Sequence, residues 1–147
     1  MKTVGYAAKS EGAQLGEYTF ERRDLRDNDV EIEILYCGVC HSDLHAVRND
    51  WGGSRYPLVP GHEIVGKVKA IGSAVKNYEK GDTVAVGCMV DSCQSCKQCD
   101  NGEEQFCQEG MVGTYAGKDR VTGEMTQGGY SKHIVVREEF VLSVPEN

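Results

Sequence analysis

The sequence predicts a mainly β domain, built as a barrel or sandwich and carrying a separate metal-binding lobe. Three observations predict it. Val30, Ile32, Ile34 and Tyr36 alternate with Glu31 and Glu33, the period of two that marks a half-buried strand. Other short apolar runs are punctuated by Gly61, Gly66, Gly72, Gly81, Gly87, Gly128 and Gly129, where tight turns, bulges and barrel corners form. Finally, Cys93, Cys96, Cys99 and Cys107 share one polar loop at the spacing C-x2-C-x2-C-x7-C.

Taken in order, strands are expected over residues 3–8, 18–22, 30–36, 63–71, 83–86 and 130–136, each rich in β-branched or aromatic residues and bounded by turn formers. Helical periodicity is scarce. Only residues 40–48 read as a short helix, stopped by Asn49-Asp50-Trp51-Gly52-Gly53. Residues 91–127 are a long polar excursion, and a loop of that length needs a tie, which a metal would provide. With 147 residues, no internal repeat and no linker, one domain spanning 1–147 is expected, with the metal lobe at about 91–110.

Composition narrows the partners. The balance of 23 acidic against 16 basic residues, a net charge of -7, disfavours nucleic acid and anionic membranes, which attract clustered Lys and Arg. The N-terminal Met1-Lys2-Thr3-Val4-Gly5-Tyr6 has no signal-peptide core, and no apolar run approaches a membrane span. Seven cysteines, an odd number, fit free thiols in a reducing compartment better than a disulfide framework. A cytoplasmic protein is expected.

The four-cysteine run points to a soft metal, zinc or an iron–sulfur cluster, because two-residue spacers let successive thiolates converge on one ion. The ferredoxin run places its fourth cysteine after three residues and before proline, whereas here seven residues intervene and Gln108 follows Cys107. Four thiolates would close a zinc ion's coordination, so this lobe reads as structural. A second constellation lies upstream. Cys40 falls where a strand gives way to a helix N-terminus, which stabilises a thiolate. His62 leaves the rigid turn at Pro60-Gly61, so the two side chains could meet across the fold as zinc ligands. Taken alone, a buried cysteine and a hydrogen-bonded core histidine remain the plain alternative. Cys37 makes C-x2-C with Cys40, but no thioredoxin-like βαβ pattern surrounds it. Trp51 and Cys88 are candidate pocket-wall positions, with core packing the better reading.

The stretches Gly38-Val39-Cys40-His41-Ser42-Asp43, Pro60-Gly61-His62-Glu63, Gly81-Asp82 with Val86-Gly87-Cys88, the cysteine loop with Glu104-Gln105-Phe106-Cys107, and Gly128-Gly129-Tyr130 span nearly the whole chain. In this order they closely resemble the N-terminal catalytic domain of zinc-dependent medium-chain alcohol dehydrogenases, in the cinnamyl alcohol dehydrogenase and bacterial aldehyde reductase group. The resemblance implies a GroES-like β-barrel catalytic domain, one catalytic and one structural zinc, and interconversion of small-molecule alcohols and aldehydes with NADP(H). It also implies a homodimeric parent. By the same resemblance Cys40 and His62 ligate the catalytic zinc, and Glu63 is an exchangeable ligand. Successive strand residues point to opposite faces, so Glu63 can join His62 only where the backbone is irregular. Asp43 would orient the imidazole.

The implied reaction needs a proton path. Ser42 can relay because a hydroxyl both donates and accepts, and His45, three residues on, can be the terminal base. The resemblance puts the cofactor ribose between the two and the cofactor pyrophosphate near His41. A helix-cap serine and a surface histidine are the plainer readings of Ser42 and His45. The resemblance also implies a second cysteine ligand and a Rossmann domain beyond Asn147; no G-x-G-x-x-G occurs in the sequence. The rival reading is a noncatalytic zinc-stabilised β-barrel module.

Overall fold

The computed structural model describes residues 1–145; positions 146 and 147 of the expected 1–147 domain lie outside the described residues. Nine strands, β1 Lys2–Ala7, β2 Gly16–Glu21, β3 Asp29–Cys37, β4 Ile64–Ile71, β5 Thr83–Val86, β6 Met89–Asp91, β7 Val112–Gly113, β8 His133–Arg137 and β9 Val141–Ser143, accompany two short helices, α1 His41–Arg48 and α2 Lys97–Asp100. A curled five-stranded sheet of order β8-β3-β4-β5-β9 forms a half-barrel, flanked by the hairpin β1-β2 and the small ladder β6-β7. Every pairing is antiparallel. No helix among the described residues is long and apolar enough to cross a membrane.

The sheet curls around branched side chains that the alternating pattern turns inward. Val30 and Ile32 from β3, Ile64 and Val68 from β4, Val84 and Val86 from β5, and Ile134 and Val136 from β8 form one buried cluster. Each such side chain contributes roughly 1.5–3 kcal/mol on burial. Lys67 and Lys69 occupy the outward positions of β4. The expected inward run of β3 ends early, because Tyr36 is 74% exposed. A bulge between Ile34 and Tyr36 shifts the register there, and with period-two side chains a shift of one residue exchanges faces.

Three strands escaped the sequence reading. β6 and β7 pair at the base of the cysteine excursion, so a ladder as well as any metal ties its ends. β9 completes the sheet edge against β5. All three are too short, at two or three residues, for alternation to register. The last expected strand also starts later than residue 130, at His133.

Arginines lock the long loops to the sheet. The Arg22 guanidinium donates to the carbonyls of His133, Gln127 and Gly128, pinning the segment that leads into Gly129 and Tyr130. Arg23 pairs with Asp29 and, at 3.1 Å, with Asp119; Arg26 pairs with Asp29 at 2.9 Å and with Asp91 at 3.3 Å. Asp91 directly precedes the cysteine lobe, so this buried network joins the lobe to the barrel. No spacing in the sequence announces it.

Candidate metal centres and active site

Two groups of metal-ligating side chains converge among the described residues: Cys93, Cys96, Cys99 and Cys107, and Cys40, His62 and Glu63, each with ligand atoms within 4.8 Å of one another.

The lobe is built for four sulfurs on one ion. One helical turn, α2, carries Cys99 back toward Cys96, its N-cap, and a 3-10 turn over Glu104–Phe106 delivers Cys107. A tetrahedral site with Zn–S of about 2.3 Å requires sulfurs about 3.8 Å apart. The Cys93–Cys99 and Cys96–Cys99 separations are 3.8 and 3.5 Å. Backbone amides of Cys93 and Gln108 point at Cys107 and Cys96 at 3.5 and 3.4 Å, as donors do toward thiolates. Four thiolates repel one another unless a cation neutralises them. The Ser95 backbone helps to pull the Cys93 thiol down to about 6. At Cys99, Ser92 pulls down, but burial and neighbouring sulfurs prevail and the thiol stands at about 11. The donor set fits zinc.

The second group sits where β3, α1 and the turn before β4 meet. Cys40 is the N-cap of α1: its Sγ accepts from Ser42 N at 3.4 Å, while Asp43 Oδ2 accepts from Cys40 N at 3.0 Å. The His62 turn is held from both sides. Leu58 exchanges backbone bonds with Ala8 at 2.9 Å, and Gly129 N and Tyr130 N donate to Gly61 O and Pro60 O. Gly61 has φ of 100°, and a Cβ there would meet Tyr130 at 2.6 Å, so the close approach of these segments requires glycine. β4 begins at Ile64, which leaves His62 and Glu63 in irregular backbone. The alternation that would separate their side chains therefore does not apply, and Glu63 turns toward the same space as His62. Gly38 makes room for it, because a Cβ at Gly38 would collide with Glu63 Oε2.

Asp43 organises this group. Its buried carboxylate takes the Cys40 and Gly61 amides and the Tyr130 hydroxyl, the last two at 2.9 Å, and faces His62 Nδ1 at 3.6 Å. Asp43 thus faces the imidazole and also closes the capping box of α1, from a buried position rather than as an exposed cap. Burial, reinforced by Asp43, pushes the phenols of Tyr115 and Tyr130 up, so both keep their protons. Tyr115 stacks on His62 at 5.5 Å between ring centres. Tyr115 lay unremarked inside the polar excursion, where one aromatic carries little signal.

Ser42 is half-buried in the first turn of α1, and no hydrogen bond joins it to His45 among the described residues. His45 Nδ1 lies 2.8 Å from Asp50 Oδ2, its ring 5.0 Å from Trp51 and 6.1 Å from His41. Asp50 is a partner that sequence reasoning missed. Trp51 is 67% exposed and Cys88 is also exposed, which overturns the core-packing reading of both: they sit on turns outside the sheet's inner face. Cys37 belongs to neither ligand group, and burial raises its thiol pKa.

A mainly β half-barrel with an open Cys–His–Glu cluster and a closed four-cysteine lobe defines the class of zinc-ligating barrels. Residues 26–146 match the model of the alcohol dehydrogenase GroES-like domain, and the chain belongs to that family. It is 52% identical over 142 residues to a probable cinnamyl alcohol dehydrogenase 8B of Oryza sativa subsp. japonica, covering 97% of this chain. It is 51% identical over 149 residues to an NADP-dependent alcohol dehydrogenase C of Mycobacterium bovis, covering 99% of this chain. It spans 32% and 42% of the lengths of these relatives. Among solved structures, a cinnamyl alcohol dehydrogenase from Sorghum bicolor superposes with a TM-score of 0.95 at 44% identity, over 99% of this chain and 41% of that one. A CAD from Helicobacter pylori complexed with NADP(H) gives 0.95 at 42%, over 100% of this chain and 42% of that one.

Proposed function

We propose that this chain is the catalytic domain of a zinc-dependent, NADP(H)-using alcohol dehydrogenase that interconverts primary alcohols and aldehydes. The observation that carries the proposal is the convergence of Cys40, His62 and Glu63 in front of Asp43, a ligand set that leaves positions open for substrate. Relatives named as cinnamyl and NADP-dependent alcohol dehydrogenases support the reaction class and the cofactor. When bound, zinc supplies Lewis acidity toward an alcohol or aldehyde oxygen, and NADP(H) exchanges hydride.

The chain's own residues would do the rest. Asp43, acting on Nδ1, fixes the tautomer that leaves His62 Nε2 free to ligate. Glu63, on irregular backbone, would be the exchangeable ligand. Ser42 would accept the substrate proton at Oγ, and His45 Nε2 would serve as the terminal base. Asp50, accepting from Nδ1–H, would leave the Nε2 lone pair free to take that proton. His41, exposed beside Cys40, is available to the cofactor pyrophosphate. Cys93, Cys96, Cys99 and Cys107 would hold a structural zinc within the domain spanning 1–147, the lobe lying between about 91 and 110. The acidic balance supports small-molecule substrates over nucleic acid or membrane partners. We assign the protein to the cytoplasm because seven cysteines fit free thiols in a reducing compartment, and its full-length form to homodimers by family resemblance.

Because the 147 residues contain no glycine-rich nucleotide turn, they alone should show little dehydrogenase activity. Zinc counting on the purified chain tests the site. Two zinc ions are expected, the weaker one lost from Cys40→Ala and His62→Ala. A single zinc that survives both substitutions would instead favour the noncatalytic barrel module.

A further inference from the structure

We propose that Ser92 is a positioning residue of the four-cysteine centre, its hydroxyl proton directed onto Cys99 Sγ by the side-chain amide of Gln94. The inference rests on the reading that the four cysteines hold a metal. Ser92 is 3% exposed, and its Oγ lies 3.2 Å from Cys99 Sγ, the shortest hydrogen-bonding approach to any of the four sulfurs among the described residues. Gln94 Nε2 donates to the same oxygen at 2.6 Å. A hydroxyl has one proton and two lone pairs. With a lone pair taken by Gln94, the proton is free to point at sulfur, and a metal-bound thiolate has none to give back. Ser92 is therefore the donor in the loaded state.

The surroundings hold this arrangement in place. Ser92 N donates to Asp91 Oδ1 at 2.9 Å, and Asp91 Oδ2 meets Arg26, so Ser92 is fixed from the barrel side. Gln94 adopts a left-handed φ of 56°, rare for a side chain of its size, and this conformation turns its amide back over Ser92. The hydrogen bond withdraws electron density from the Cys99 thiolate. It thereby orients the sulfur, weakens its donation to the metal and makes electron transfer from sulfur costlier.

Cobalt(II) substitution reads this directly, because the sulfur-to-cobalt charge-transfer band reports the energy of the sulfur electrons. In Ser92→Ala that band is expected to move to longer wavelength, because the sulfur electrons rise in energy once the donor is gone. Ser92→Thr keeps the hydroxyl and should retain the wild-type band, while Ser92→Val, of the same shape without it, should not; this pair decides the matter if the alanine variant fails to fold. Gln94→Gly takes the left-handed conformation without strain and removes the group that directs the Ser92 proton, so its band should move the same way as in Ser92→Ala, by less. A purely structural role would lower affinity without moving the band. Bands at the wild-type position in both Ser92→Ala and Ser92→Val, or an unmoved band in Gln94→Gly, would overturn the inference. A wild-type chain that gives no thiolate–cobalt band would overturn the metal reading with it.

Discussion

Asp43 Oδ1 lies 3.6 Å from His62 Nδ1 and 2.9 Å from the amide of Gly61, so one buried carboxylate both faces the imidazole and holds the turn that presents it. Asp43→Ala leaves three donors without a partner: the Cys40 and Gly61 amides and the Tyr130 hydroxyl. At about 1–3 kcal/mol for each buried unsatisfied donor, with water recovering part, a loss of about 3 kcal/mol is expected. Tyr130→Phe removes one of these bonds and should cost about 1 kcal/mol. Urea unfolding midpoints of the two variants check both values and their order.

Gly61→Ala tests the close approach on the other side of the turn. At φ of 100° with Tyr130 2.6 Å from the added Cβ, alanine is strained by its backbone and by its neighbour. A destabilisation of about 2 kcal/mol or more is expected in the same assay. The zinc that Cys40 and His62 would share should weaken, while the lobe's zinc is retained. An unchanged midpoint would mean the turn can open without cost.

Cys107→Ser should remove the lobe's zinc and leave the barrel folded. Within the lobe only Asp91, Ser92, Cys99 and Cys107 are buried, whereas the barrel has its own cluster of Val and Ile. Metal analysis should show one ion fewer, limited proteolysis should cut between positions 93 and 110, and far-ultraviolet dichroism should keep its β signature. Global unfolding would show that the β6–β7 ladder cannot hold without the metal.

Asp29 should give stability a distinct pH slope. Burial alone would raise its carboxyl, but hydrogen bonds from Arg23 and Arg26 outweigh this and hold it below its usual 3.8. A carboxyl depressed in the folded state stabilises above its unfolded pKa and loses that contribution as pH falls through the folded one. Full stabilisation is therefore expected at neutral pH, with loss beginning near pH 4 and continuing below it. Asp29→Asn should be less stable at pH 7, by about 2 kcal/mol, and the gap to wild type should narrow on acidification. A gap that is constant from pH 7 to 3 would contradict the depressed carboxyl.

Local chemistry in the sequence already determined a good deal. The alternation around Val30 and Ile32, the helix over 40–48 and the spacing of Cys93, Cys96, Cys99 and Cys107 are short-range patterns, and each survives in the fold because a strand, a helical turn or a metal loop is set by neighbouring residues. The pairing of Cys40 with His62, 22 positions apart, stood beside a plainer core-packing alternative until the order of motifs along the chain favoured it. Tertiary structure decided the rest. Glu63 joins that pair because β4 starts one residue after it. Asp50 becomes the partner of His45, and Tyr115 the wall beside His62, through folding of loops that carry no periodicity. The network of Arg23, Arg26, Asp29, Asp91 and Asp119 joins residues up to 96 positions apart, Arg23 to Asp119. Such contacts depend on the register and curl of the whole sheet, and single-residue patterns cannot encode them.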